Sequence, residues 1–133
     1  IHNSGTIDTI TGDFNNNYVE AGKNGYGGAI HNSGTIDTIT GDFNNNSVQA
    51  GTFGKGGAIY NDEGGTIDTI TGDFNNNSVQ AEEYGFGGAI YNGDGTINSI
   101  EGNFNNNIGL PLTILPNRKS QTNQTRSLPS ILS

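Results

Sequence analysis

The stretch that decides the fold is residues 27–50, GGAIHNSGTIDTITGDFNNNSVQA. Almost all of it occurs again elsewhere in the chain. Residues 1–17 are identical to residues 30–46, and residues 35–50 are identical to residues 66–81. A diverged copy, GGAIYNGDGTINSIEGNFNNN, occupies residues 87–107. A landmark Ile falls at positions 1, 30, 59 and 90 and a landmark Phe at 14, 43, 74 and 104, so the period is 29 to 31 residues. A fixed period of this size marks a solenoid, in which each repeat buries its apolar face only by stacking on its neighbours.

Length varies at two places only. One is the turn NSG, NDEGG or NGDG; the other is the Gly-rich link GKNGYGG, GTFGKGG or EEYGFGG. Both read as surface loops, because insertions are tolerated there. The segments between them read as strands. Ala29-Ile30-His31 is the first, Thr35-Ile36-Asp37-Thr38-Ile39 the second, and a third runs from Asp42-Phe43 through the Asn triplet to Val48. Gly41 and the Asn residues supply the bends. No segment holds a helical period. The expected fold is all-β: a right-handed parallel β-helix of about four coils, one coil per repeat rather than two smaller ones. Each coil would add three Ile, one Phe and one Val to a continuous core.

Composition agrees with a solenoid. Only 30% of the 133 residues are hydrophobic and 22 are Gly, which is too little apolar material for an ordinary single core. All 13 acids lie between Asp8 and Glu101, and set against Lys23 and Lys55 they leave the repeats at a formal −11. That argues against binding to nucleic acid or anionic lipid. The absence of Cys excludes disulfides and Cys-ligated zinc. The chain contains no Met, opens in mid-repeat at Ile1-His2-Asn3, and shows no signal peptide or membrane span. It reads as a piece of a longer protein that does not itself insert into a membrane.

Two tetrapeptide patterns alternate in register. Gly-Gly-Ala-Ile stands at residues 27–30, 56–59 and 87–90; Phe-x-x-Asn stands at Phe14/Asn17, Phe43/Asn46, Phe74/Asn77 and Phe104/Asn107. This pairing resembles the repeat of the polymorphic outer membrane protein family, autotransporter-like bacterial surface proteins. The resemblance covers residues 1–107. It implies a passenger β-helix displayed at the cell surface, associated with the outer membrane or secreted, often serving adhesion. It also implies a C-terminal membrane β-barrel, which these 133 residues do not contain. Physics gives both patterns a structural meaning as well. Paired Gly lets the backbone turn sharply against the next coil, Phe fills a core corner, and its Asn hydrogen-bonds to its own copies as a ladder.

Other columns follow from the period. Asp8, Asp37 and Asp68 stack, ending at Asn98; Asp13, Asp42 and Asp73 stack, ending at Asn103. Like charges about 4.8 Å apart in water repel by a little under ~1 kcal/mol. Weak calcium binding would relieve this, although the nonapeptide of calcium-binding β-rolls is absent. Outward, solvated Asp is the plainer reading. Every ladder acid is copied from coil to coil and the repeats hold no Arg, which argues against a polysaccharide-cleaving pair. No catalytic residue and no metal ligand is assigned, no cofactor is required, and the chain reads as a non-enzyme.

His2 and His31 align with Tyr60 and Tyr91, as a stacked ring column or as a sugar- or partner-binding stripe. Tyr18, Tyr26, Phe53, Tyr84 and Phe86 add aromatics in or near the variable loops. The columns Thr6/Thr35/Thr66/Thr96 and Thr9/Thr38/Thr69/Ser99 are interrupted by the Asp column, which disfavours an ice-binding face. These residues leave the binding site undetermined. From Ile108 the pattern stops, and Leu and Pro appear. Residues 108–133 read as a non-repeat tail, disordered in its polar part, or as the product of a frame or assembly error.

The expected function is a structural and adhesive surface repeat that projects a rigid stalk toward a protein or glycan on a host or neighbouring cell. The alternatives are a calcium-dependent binding module and a non-catalytic part of a polysaccharide-active β-helix enzyme. Uncapped coils at both ends predict end-to-end self-association.

Overall fold

The computed structural model describes residues 1–110 and 131–132. Among them there is no helix, and the repeats stack as a parallel β-solenoid of about four coils, one per repeat. Each complete coil contains five strands where the sequence predicts three. In the second coil they are Ile30–Asn32, Thr35–Thr40, Phe43–Asn44, Ser47–Ala50 and Phe53–Lys55. Each pairs in parallel with its copy one coil away, giving five sheets along the stack. Representative partners are Ile59↔Ile30, Thr66↔Thr35, Phe74↔Phe43, Ser78↔Ser47 and Phe53↔Tyr84.

The predicted third strand is cut in two by the middle Asn of the triplet. Asn16, Asn45, Asn76 and Asn106 all have φ between 55° and 58°, the left-handed region that Asn tolerates better than most residues. The chain turns a corner there, and Ser47–Ala50 leaves in a new direction. The fifth strand lies inside the Gly-rich link, which corrects its reading as a surface loop. Gly25, Gly54 and Gly85 are buried and paired in register. A strand so rich in Gly carries no propensity signal; what makes it a strand is the copy above and below.

The core is divided as well. Ile30, Ile36, Ile39, Phe43 and their copies form one cluster. The Val column, expected to join it, forms a second cluster from Val48, Val79, Ala50 and Ala81. The reason is the Asn corner, which carries the Val strand away from the body. This strand and the Gly strand pack face to face as a thin fin. Gly54 makes the thinness possible: a Cβ placed there would lie 2.5 Å from Val79 Cγ1. Where fin meets body stands the Gly-Gly pair. Gly27 has φ +58°, and a Cβ on Gly28 would collide with the carbonyl oxygen of Gly57 one coil on. The sharp turn and the close approach to the next coil both hold.

Both Ile of Thr35–Thr40 point inward although they are three residues apart, and strict alternation would put them on opposite faces. The strand kinks at Asp37, where ladder pairing with the next coil lapses. Thr6↔Thr35↔Thr66↔Thr96 and Thr9↔Thr38↔Thr69↔Ser99 align as expected.

Hydrogen bonding continues past Asn107. Ile108–Gly109 pairs with Ser78 and Val79, and the Leu110 amide donates to the Val79 carbonyl at 2.8 Å. Ile131–Leu132 pairs antiparallel with Ile90 and Tyr91. The rest of the tail, and with it the expectation of disorder there, lies outside the described residues.

Candidate binding face and the ladders that support it

The Asn triplet has three separate duties. Its first member, Asn44, donates to Asn15 at 2.9 Å, and the same bond repeats from Asn75 to Asn44 and from Asn105 to Asn75 on the outside of the coil. Its second is the left-handed corner. Its third is the buried ladder expected of Phe-x-x-Asn. Asn46 Nδ2 donates to Asn77 Oδ1 at 2.9 Å and to the Phe14 carbonyl at 2.8 Å. Asn77 repeats both bonds, to Asn107 and to Phe43. Each Oδ1 also accepts the backbone amide of the preceding copy. A buried amide side chain with every group partnered stabilises the stack and fixes its register.

A further ladder was not singled out from the sequence. Asn3 donates to Asn32, Asn32 to Asn61 and Asn61 to Asn92 at 2.7–2.8 Å, and all four also donate to the Gly carbonyl of the adjoining turn at 2.9–3.2 Å. These residues close the variable turn. Their signal was present: an Asn stands two residues after the landmark Ile in every copy.

The Asp columns differ from each other. Asp8, Asp37 and Asp68 are exposed, with Asn98 donating to Asp68 at 2.8 Å. In the other column the carboxylates act as acceptors. Asp13 takes the Asp42 amide at 3.0 Å, Asp42 takes the Asp73 amide at 2.9 Å, and Asp73 takes the Asn103 amide at 2.8 Å. These bonds hold a carboxylate in each coil against the next and offset part of the like-charge repulsion. Among the described residues no three His, Cys, Asp or Glu side chains converge on a common point.

The aromatic residues are brought together. Phe14, Phe43, Phe74 and Phe104 stack inside the body at 4.6–4.7 Å between ring centres. Every other Tyr and Phe except Tyr18 lies on one outer face, built from the Gly strand of the fin and the adjoining Ile30–Asn32 sheet. His2, His31, Tyr60 and Tyr91 run up that sheet at 4.7, 4.9 and 5.7 Å. On the fin, Tyr26, Lys55 and Phe86 occupy one column and Asn24, Phe53 and Tyr84 the next. The two sheets' outward side chains touch: Tyr26 stacks on Tyr60 at 5.0 Å and meets His31 edge-on at 5.9 Å, and Phe86 approaches Tyr91 at 6.0 Å. Their contact makes a re-entrant elbow where fin meets body. Tyr18 stands apart, donating to Gln49 at 3.0 Å on the fin's other side. There Glu20, Gln49, Gln80 and Glu82 wall a shallow groove of about 350 Å³ over Ala21, Ala50 and Ala81.

Two residues of the elbow were not singled out from the sequence. Lys55 takes the place of an aromatic residue, and its Nζ lies 5.8, 5.7 and 5.1 Å from the ring centres of Tyr26, Tyr60 and Tyr91. Alignment at the repeat period exposes it, because Tyr26 and Phe86 fill the same position in the coils on either side. Asp62 comes from the longer turn of the third copy. It accepts from the Tyr60 hydroxyl at 2.6 Å and from the Glu63 amide at 2.8 Å, and its Oδ2 lies 3.3 Å from His31 Nε2. Burial alone would raise the Asp62 carboxyl, but the bonds from Tyr60, the Glu63 amide and His31 outweigh it and hold it below the usual range. Burial, and then the neighbouring Asp62, push the Tyr60 phenol well above its ordinary value. Burial, and then Asp94, raise Tyr91 likewise.

Parallel coils, buried amide ladders and a repeating Phe stack define a β-solenoid repeat protein. Residues 72–93 match the Chlamydia polymorphic membrane protein repeat, so the chain carries a repeat of that type. The matched stretch takes in Phe74 and Asn77 as well as residues 87–90, and so contains one Phe-x-x-Asn and the next Gly-Gly-Ala-Ile. The family connects this repeat with the outer membrane or the cell surface. Comparison with curated proteins and with solved structures returned no match.

Proposed function

We propose that this chain is part of a non-catalytic, surface-displayed β-solenoid of an autotransporter-like passenger, and that it acts in adhesion. The observation that carries the reading is the match to a membrane protein repeat on a stack whose coils run in register through four copies. In-register ladders make a stiff rod, and a stiff rod is what a projecting stalk requires. The aromatic elbow is the contact surface, since Tyr-rich faces on rigid scaffolds supply area at low entropic cost. Partners are proteins or glycans on a host or neighbouring cell.

The test is bead adherence. Beads coated with the 133-residue chain are counted on cultured eukaryotic cells and on bacteria, against beads carrying the urea-unfolded chain. Adherence that needs the folded chain is expected. Counts equal to those of albumin-coated beads on both surfaces would overturn the adhesive role. Shaving of source cells with an added protease tests surface display separately, with loss of the repeat epitope from intact cells as the expected result.

A further inference from the structure

We propose that the elbow is a docking site for an extended protein segment carrying a carboxylate, and that Lys55 receives that carboxylate. The inference rests on the adhesive reading and names the chemistry of the partner. It starts from an imbalance of charge. The repeats carry 13 acids against Lys23 and Lys55, yet Lys55 has no carboxylate within ion-pair reach among the described residues. The sole such contact there is His31 with Asp62. Among the described residues, this half-buried Lys is kept apart from the chain's acids. It lies over the faces of three Tyr rings, which hold a cation while leaving its hydrogen-bond donors free. Of the acids that act on these rings, Asp62 is already engaged by Tyr60, the Glu63 amide and His31, and Asp94, which acts on Tyr91, forms no ion pair with Lys55 among the described residues.

The rings decide between peptide and sugar. Sugars are recognised by stacking on an open aromatic face. Here the faces are turned along the solenoid axis and covered by one another: Tyr60 lies between His31 and Tyr91, and Tyr84 stacks on Phe53 at 5.0 Å. Tyr60 is buried and its hydroxyl is taken by Asp62, so the half-buried Tyr26 and Tyr91 offer ring edges rather than open faces. Ring edges carry the positive end of the aromatic quadrupole, and with Lys55 they complement carbonyl and carboxylate oxygens. The geometry also sets length. Three coils at about 4.8 Å span about 10 Å between the outer two, which an extended segment of about five residues at about 3.3 Å each covers with three side chains on one face. The segment predicted to bind therefore has one Glu or Asp centred on Lys55, with apolar residues two positions to either side, because only alternate side chains of an extended chain share a face.

Two capped seven-residue peptides test this, one with a central Glu and with Val and Tyr two positions to either side of it, the other with Gln in place of the Glu. Binding to the 133-residue chain is measured by titration calorimetry, with a sialyl trisaccharide as the sugar probe. The Glu peptide should bind about tenfold tighter than the Gln peptide, the ratio that one charge-assisted hydrogen bond of about 1.4 kcal/mol gives. Lys55→Gln should erase that preference while the chain keeps its β-rich circular dichroism spectrum, and Lys55→Arg should keep most of it. Equal affinity of the two peptides, or no saturable binding of either, overturns the proposal on the unaltered protein. Lys55-dependent binding of the trisaccharide alone overturns the choice of peptide over sugar. Beads carrying Lys55→Gln that adhere as well as the parent sink this inference and leave adhesion standing. Beads that never adhere sink adhesion whatever the peptides do.

Discussion

Replacing Asn77 by Ala tests whether one member of a triplet of identical residues carries most of the triplet's stability. The Asn77 side chain makes four hydrogen bonds in the buried ladder. It donates to Asn107 and Phe43, and it accepts from the amide and the side chain of Asn46. At about 1 kcal/mol net for each bond the loss is about 4 kcal/mol. The stranded Asn46 amide, with no water to turn to, makes this a lower bound. Asn75→Ala removes two half-exposed ladder bonds and should cost under about 1 kcal/mol, because water replaces them. Asn76→Gly keeps a φ of 56° available and should stay within about 0.5 kcal/mol. The assay is urea unfolding followed by far-UV circular dichroism. With a slope of about 2 kcal/mol per molar, Asn77→Ala moves the midpoint down by about 2 M while its neighbours barely move it. Three equal shifts, or Asn76→Gly as the most damaging change, would refute the division of labour.

Three other outcomes follow from the same geometry. Gly54→Ala drives a methyl against Val79 and should destabilise by about 1–3 kcal/mol; adding Val79→Ala should recover part of that loss, and strict additivity in the double-mutant cycle would sink the thin-fin packing. Asp62 has a folded pKa below its unfolded value, so its stabilisation is present above the ordinary carboxylate range and is lost as pH falls through the folded value. The melting difference between the parent and Asp62→Asn should therefore shrink toward zero on acidification from neutral pH, and a difference that grows would reverse the sign. Asp37 has like-charged neighbours above and below in its column, so Asp37→Asn should stabilise by up to about 1 kcal/mol at low salt. The gain should fade as screening rises, and a gain that survives 1 M salt (screening length about 3 Å) would show that charge is not its cause.

The expectations that held and those that failed divide by what carries them. The stacked His2, His31, Tyr60 and Tyr91 column and the Phe-x-x-Asn ladder were legible because identical spacing forces copies into contact, whatever the coil's cross-section. The strand at Phe53–Lys55 was not. Its Gly content reads as a loop, and the local pattern holds nothing that distinguishes a covered Gly strand from an exposed turn. Asn45 also resisted reading, since three identical neighbours give no local cue to which one turns the corner. Lys55 and Asp62 were passed over for a related reason. They break the repeat, and a reading built on what recurs looks past them.

The solenoid was legible in the sequence, because a period of 29 to 31 residues with so little apolar material buries a core only by stacking repeat on repeat; one coil per repeat was the expectation, and the structure bears it out. The sequence also determined which residues stack on which. The tertiary structure alone decided how each coil is bent: a body and a fin in place of one core, and two aromatic columns meeting across an elbow. Those features depend on contacts within a coil, between segments whose spacing in sequence differs from the period. Stacking amplifies whatever path a single coil takes, but the left-handed Asn corner and the Gly-lined fin choose that path.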